Sequence, residues 1–414
     1  MTGIGALIGL AVGIFLIIKK FNPAYSMILA AVLGGVIGGL DMNTIVKQRF
    51  EGVSDMVPAI VRILSAGVLS GALVKTGSAQ KIADSIIRGL GTRNVLLALV
   101  LAVFLLTVSG VFVDVAVITA APIGLAVGAK AGLSRGCVLL ALVGGGKAGN
   151  VVSPNPNTIA VADCFRADLS DVMLANWIPA VVGVIVTVFL AWLISRRGLI
   201  LTEEMIEHPT DEQNKSPRLW AALCGPVVTL ALLALRPLAG IKIDPFLALP
   251  AGGLACIVVT LNWSKLRESL DYGLSKMSGV AILLVGTGAL AGILKNSTLK
   301  DMVLDFLKWT HLPEVTLAPV SGILMSAATG STTAAATVAG NSFSAAILAA
   351  GVSAVAGAAM INAGATVMDQ LPHGSFFHAT AGSVQMPTRE RLKLVPLETA
   401  IGFVLALTSL LANM

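Results

Sequence analysis

Apolar runs close to the length needed to cross a bilayer recur from one end of this chain to the other, and they leave few folds open. A membrane-spanning helix needs about 20 consecutive apolar residues. Of the 414 residues, 56% are hydrophobic and only 12% charged, where an ordinary soluble domain is roughly 25% charged. The expectation is an all-α polytopic membrane protein, lying in a lipid bilayer. Its 43 glycines suit closely packed spans. The net charge is +6, but basic residues on such a chain report topology, so no nucleic-acid partner is expected. Cys137, Cys164, Cys224 and Cys256 form no CxxC, and neither a metal, a disulfide nor a cofactor is expected. The first apolar run is followed, not preceded, by the positive pair Lys19-Lys20. That is the reverse of a cleavable signal peptide, so the run reads as the first span.

One run carries its own interruption. Residues 137–162 are apolar enough to span. At their centre stands Gly149-Asn150-Val151-Val152-Ser153-Pro154-Asn155-Pro156-Asn157-Thr158, with two prolines and three asparagines. Proline removes a backbone donor and clashes with the preceding turn. The helix must break at membrane depth. Broken backbone is tolerated in hydrocarbon only where protein buries it or it lines a wet cavity. The amides and hydroxyls of this break are expected to coordinate a ligand.

In chain order, spans are expected at 3–18 and 24–40, an interfacial amphipathic stretch at 41–58, and a span at 59–74. A second amphipathic stretch, 75–93, leads to 95–128, which holds Ser109-Gly110 near its middle and Asp114 just beyond. After the interrupted run come an acidic outer loop (Asp163, Asp168, Asp171), a span at 176–195 and a polar linker at 201–218. The same order then returns, about 220 positions on. Asp244-Pro245 answers Asn22-Pro23, Asp271-Tyr272-Gly273 answers Phe50-Glu51-Gly52, and Thr329-Gly330 answers Ser109-Gly110. Gln370-Leu371-Pro372-His373-Gly374-Ser375 falls where residues 152–157 fell. Matches held in register argue for a duplicated architecture, the usual build of secondary transporters.

The polar interruptions at Ser109-Gly110 and at 329–333 point to two re-entrant hairpins with tips at mid-depth. Each half then crosses five times and the two repeats are inverted. With the N-terminus outside, 18 of the 28 lysines and arginines fall in cytoplasmic segments and 8 outside, Arg62 and Lys147 lying within spans. This follows the positive-inside rule. The expected protein is a multi-pass plasma-membrane or inner-membrane protein with both termini outside the cytoplasm. Its repeats are 1–200 and 219–414, with the linker at 201–218 cytoplasmic. Scaffold spans are expected within 1–74 and 219–294, and transport parts within 95–175 and 315–385, because the polar clusters lie in the latter.

Broken helices point free N–H groups at a bound anion, and Ser, Thr and Asn supply neutral ligands. The expected substrate contacts are Ser109, Gly110, Asn150, Ser153, Asn155, Asn157, Thr158, Gly330, Ser331, Thr332, His373, Gly374 and Ser375. The competing reading is that such groups merely join helices. Ionisable residues inside spans are costly and usually functional. Asp114 and Asp369 are the expected proton-coupling residues, since an ionised carboxylate on an apolar run is disfavoured without a partner. A structural ion pair between Asp114 and Lys147 is the alternative for Asp114. Lys147, just before the first break, favours an anionic solute. Gly144-Gly145-Gly146-Lys147 lacks the strand, the spacing and the Ser/Thr of a phosphate loop. No catalytic triad or haem ligand set appears. An ion gradient, rather than ATP, is the expected driving force, and no enzyme activity is expected. His208 and His311 are assigned no role.

The duplicated order of hairpin and broken span, the mid-membrane Ser153-Pro154-Asn155-Pro156-Asn157-Thr158 and the matching Leu371-Pro372-His373-Gly374-Ser375 carry a resemblance. On these residues the chain resembles the gluconate permease (GntP) family within the ion-transporter superfamily. The resemblance implies a proton symporter importing a small organic anion, a sugar acid such as gluconate. It also implies a homodimer whose transport part moves as an elevator against a fixed scaffold. The alternative within the superfamily is a cation/proton antiporter or a sodium-coupled carboxylate carrier.

Overall fold

The computed structural model describes residues 1–91, 94–202, 217–310 and 313–414. Most of the linker (203–216, with His208) and His311 lie outside the described residues. Among the described residues all regular structure is helical, apart from one isolated bridge between Ser134 and Ile200.

The described residues of the first half form ten α-helices: α1 (Gly3–Ile18), α2 (Pro23–Ile37), α3 (Met42–Lys75), α4 (Ser78–Leu90), α5 (Val95–Val108), α6 (Val113–Lys130), α7 (Arg135–Asn150), α8 (Pro156–Cys164), α9 (Leu169–Ala175) and α10 (Trp177–Leu193). Ten more follow in the same order: α11 (Leu219–Ala239), α12 (Pro245–Val259), α13 (Leu266–Lys295), α14 (Leu299–Thr310), α15 (Leu317–Thr329), α16 (Thr332–Ala349), α17 (Ala354–Gly364), α18 (Ser375–Ser383), α19 (Thr388–Leu392) and α20 (Val395–Ala412). The sequence match Asn22-Pro23 with Asp244-Pro245 has a structural cause. Both pairs start a helix, the side chain capping free N–H groups and proline filling the first helical position.

The interfacial stretch expected at 41–58 does not exist as a separate element. It is the first part of α3, a single helix of 34 residues that runs through Pro58. At 1.5 Å per residue it is about 51 Å long, so it extends beyond the hydrocarbon at one end. Packing against α13 carries the helix across the polar stretch. A Cβ on Gly52 would lie 2.1 Å from the Gly288 carbonyl oxygen, and one on Gly71 would lie 2.0 Å from that of Ser269. In return, a Cβ on Gly292 would lie 2.0 Å from the Gln48 oxygen, and one on Gly273 would lie 2.1 Å from that of Gly67. The two helices therefore run antiparallel, backbone on backbone. Gln48 corresponds to Ser269 between the halves, and Gly71 to Gly292. Wherever two of these residues meet, their two counterparts meet as well, which is the contact pattern of a two-fold relation.

The interrupted segments also appear. α5 and α6 pack on each other across a turn at Gly110, and α15 and α16 across one at Gly330. Both glycines have positive φ (+91° and +60°), which a side chain would disfavour. The broken spans are α7–α8, interrupted at 151–155, and α17–α18, interrupted at 365–374. α8 packs on α16 while α18 packs on α6, so each broken helix closes on the other half's hairpin. Phe15, Tyr25, Trp192 and Phe403 face outward, as a lipid-covered surface requires. Among the described residues five helical segments are long and apolar enough to cross a membrane, and α9 with α10, bent by 44°, forms one more candidate.

The α3–α13 contact has no room for a methyl group at its centre. Gly52→Ala should lower the melting temperature in detergent, at the cost of overpacking, about 1–3 kcal/mol. Gly279→Ala, on α13 with nothing within 4 Å, should leave it unchanged or slightly raised. Thermal unfolding followed by tryptophan fluorescence compares the two.

Candidate functional site

The site is assembled around the last turn of α7. The triple glycine of this helix is a packing device. A Cβ on Gly145 would lie 2.2 Å from the Val100 oxygen of α5, and one on Gly144 would lie 2.3 Å from Thr187 of α10. Close packing delivers Lys147 into the interior, where it is 1% exposed. Its ammonium donates to the Thr366 carbonyl, to Asp369 Oδ1 and to Gln370 Oε1, each at 2.5 Å. All three of its protons are thereby used. Asp369 is 2% exposed, and its Oδ2 accepts from Thr332 Oγ1 at 2.5 Å. Lys147 is thus paired with Asp369, not with Asp114, and its charge is neutralised within the protein instead of standing free for a solute.

The first break is buried and internally bonded. Asn155 caps α8, its Oδ1 accepting from the Thr158 amide at 3.1 Å while its Nδ2 donates to the Asn150 carbonyl at 2.8 Å. Ser153 donates to the Thr107 carbonyl at 2.5 Å, which ties the break to the first hairpin. Gly110 joins the same contact, since a Cβ there would lie 3.9 Å from Pro154. Asn157 donates to Asn362 Oδ1 at 2.7 Å, and Asn362 donates to Thr158 Oγ1 at 3.1 Å, linking α8 with α17. Ser109 donates back to the Leu105 carbonyl at 2.6 Å.

The second break is more open. Gly374 lies directly on the tip of the second hairpin, where a Cβ would meet the Gly330 oxygen at 2.0 Å. Ser331 caps α16 through the Ala334 amide. His373 and Ser375 are exposed. α18 starts at Gly374 with no side-chain cap, and α6 starts at Phe112 with none. Both therefore present free N–H groups with partial positive charge. Asp114 is half-buried on the first turn of α6 and makes no hydrogen bond or ion pair among the described residues. It lies close enough to Tyr272 of α13 to act on it electrostatically.

The four interrupted segments thus meet. The residues that hold them together were not all anticipated. Asn362, Gln370 and Thr366 were passed over, as was Asn176, whose Nδ2 donates to the Ala359 carbonyl at 3.1 Å and whose Oδ1 accepts from Ser409 at 2.8 Å. The available signal was an amide in the middle of an apolar run. Asp163, read as the first residue of an outer loop, belongs to the last turn of α8. It pairs with Arg62 of α3, which also forks onto Asp244 at 3.0 and 2.6 Å. Beside them Asp168 meets Arg236 at 3.1 Å and Lys242 at 3.0 Å. Asp163 is therefore clamped to α3, and Asp168 to the last turn of α11 and the loop that follows it.

Comparison with known proteins gives this arrangement a context. A family model described as GntP family permease matches residues 1–248. The chain is 51% identical to an uncharacterized transporter of Haemophilus influenzae, over 99% of this chain and 98% of that one. It is 23% identical to the Gnt-II system L-idonate transporter of Escherichia coli, over 81% of this chain and 80% of that one. Against the high-affinity gluconate transporter of the same organism it is 24% identical over 81% of this chain and 82% of that one. In three dimensions it is similar to the crystal structure of the Alcanivorax borkumensis YdaH transporter, described as having an unusual topology. That match has a TM-score of 0.62 at 15% identity and covers 97% of this chain and 98% of that one. It is a likeness of fold.

Removing one partner of a buried ion pair leaves the other charge unpaired, a loss of about 3–5 kcal/mol. Lys147→Met should therefore lower the melting temperature markedly. Lys147→Met combined with Asp369→Asn should recover most of it, because no lone charge remains. A double variant as unstable as the single one would mean that an unpaired carboxylate is not what destabilises Lys147→Met.

Proposed function

Because this chain belongs to the GntP permease family, a family of membrane transporters, we propose that it is a secondary active carrier that imports a small organic anion, a sugar acid such as gluconate, by proton symport. The observation that carries this reading is the meeting of two broken helices and two hairpin tips. At that point α6 and α18 both begin without side-chain caps. Free N–H groups at helix starts favour a carboxylate, and the open hydroxyl of Ser375 and imidazole of His373 beside them suit the hydroxyls of a sugar acid. Relatives bear names with related solutes: gluconate, L-idonate and, in a D-serine transporter of Escherichia coli 21% identical over 80% of this chain, serine. All three solutes combine a carboxylate with a hydroxyl. On this reading Ser331, His373, Gly374 and Ser375 touch the solute, and Ser109, Gly110, Gly330 and Thr332 complete the tips. Asn150, Ser153, Asn155, Asn157 and Thr158 hold the first break in shape behind them. Uptake of radiolabelled gluconate into proteoliposomes, with and without an inward proton gradient, tests it. Gradient-driven accumulation is the expected result.

The reading extends to motion. The halves are taken as inverted repeats with both termini outside, in a homodimer. Residues 95–175 and 315–385 move as one body against 1–74 and 219–294. The Lys147 cluster and the Asn157–Asn362 bond join the two moving parts to each other. By contrast Arg62, Arg236 and Lys242 would stand on the scaffold, and their partners Asp163 and Asp168 on the moving body. Those ion pairs must part during an elevator stroke.

Asp114 is the proposed proton carrier, with Asp369 next. Asp114 is the intramembrane carboxylate that lacks an ionic partner among the described residues, whereas Asp369 is held by Lys147. Asp114→Asn mimics the protonated form. The variant should still exchange labelled for unlabelled gluconate across proteoliposomes while losing accumulation under a proton gradient. Undiminished uphill uptake would move the proton to another group.

A further inference from the structure

The surroundings of Lys147 are those of a bound cation. In α17 the regular helix ends at Gly364, and the next carbonyls belong to the break. Carbonyls freed where a helix is interrupted at membrane depth, and the negative end of the preceding half-helix, are where carriers of this general build hold coupling cations. One of these carbonyls, that of Thr366, accepts from the Lys147 ammonium. Two further oxygens complete the shell, one a carboxylate and one an amide. Hard oxygen ligands of this kind suit sodium as well as they suit an ammonium.

The ligands are also fixed from behind, as a metal site's would be. Asp369 Oδ2 is held by Thr332 at the second hairpin tip. Gln370 Nε2 donates to the Val367 carbonyl at 3.1 Å and to Thr399 Oγ1 of α20 at 2.7 Å, which turns its Oε1 towards the lysine. No part of this shell comes from Lys147 or from its own helix. The cage belongs wholly to the second half and the cation wholly to the first.

The place of this contact in the fold is equally telling. Val113 and Thr332, Arg135 and Ala354, and Pro156 and Ser375 start equivalent helices, and each pair is 219 positions apart. By that register Lys147 is the counterpart of Thr366, the residue whose carbonyl it touches. A residue that meets its own counterpart lies at the local two-fold axis relating the halves. Only one of the two equivalent positions can be occupied by a side chain reaching across, and here it is filled from the first half.

We propose that the second break forms a site for a small monovalent cation and that the ammonium of Lys147 is its permanent, tethered occupant. The site stands on geometry alone. Its meaning for transport rests on the reading of the chain as an ion-coupled carrier: a cage already filled covalently leaves no sodium requirement there and leaves the coupling to protons.

Shortening Lys147 should open the cage. Wild type, Lys147→Ala, Lys147→Met and the double variant Lys147→Ala with Asp369→Asn are melted in sodium chloride and in choline chloride of equal ionic strength. A ligand that binds only the folded state raises its melting temperature. Lys147→Ala leaves space and a carboxylate, and should melt several degrees higher in sodium than in choline. Lys147→Met fills the space without charge and should be unstable in both salts. The double variant lacks the carboxylate and should be indifferent to sodium. The wild type should be indifferent too. A folded Lys147→Ala that ignores sodium, lithium and potassium overturns the proposal. So does one that is unfolded in every salt, since its cage keeps all its ligands. A sodium response in the wild type or in the double variant overturns it as well. These melts involve no transported solute, so their failure is distinct from a failure of gluconate uptake.

Discussion

The interior of this protein depends on one electrostatic requirement. An ammonium delivered into a membrane protein's core must be neutralised and must have every proton accepted, or the fold cannot close around it. Lys147 meets both conditions through Asp369, Gln370 and Thr366, and Thr332 and Thr399 hold those acceptors in place. The requirement is shared between halves that are far apart in sequence. The ammonium on α7 and the carboxylate of the second break each leave the other unpaired when they are apart. A buried ion pair of this kind adds little net stability over apolar packing, but it penalises every arrangement that separates its partners.

Close approach of backbones is what makes such an exchange possible. The glycines of α3 and α13 remove the side chains that would hold the central helices apart, and those of α7 do the same against α5 and α10. Without an apolar driving force between helices in lipid, small residues that permit contact are a main source of association. The same feature explains why a polar stretch with a proline inside it continues as helix. α3 is held by α13 along its length, and the packing overrides the local tendency to stop.

The polar side chains then divide by exposure. Those of the first break are spent on one another, capping α8 and tying it to α5 and α17. The second break leaves His373, Ser375 and the start of α18 open. A site built in this way has one rigid wall and one accessible wall. The ion pairs of Arg62, Asp163 and Asp244 form a separate contact, on the surface between α3, α8 and α12, where partly exposed charges can part and reform at modest cost.

Much of this was written in the amino-acid order. Hydropathy alone determined that the chain is helical and membrane-bound, because only helices satisfy their own backbone within a span. Prolines at 154 and 156 and the glycines at 110 and 330 fixed where helices stop, since those effects are local to the backbone. The Asn22-Pro23 and Asp244-Pro245 match could be read because equivalent helix starts need equivalent residues. Tertiary structure decided which charges meet. Lys147 and Asp369 are far apart in the chain, and nothing local distinguishes that pairing from one with Asp114. It also decided that Asp163 ends a helix and faces Arg62, and that the polar residues 41–58 continue into a span. The Lys147 pairing and the continuation of α3 depend on a surface contributed by the other half, and the Asp163 contact on a helix about a hundred residues earlier in the chain. Local sequence specifies where the chain turns, and only the packed halves specify what faces what across the turn.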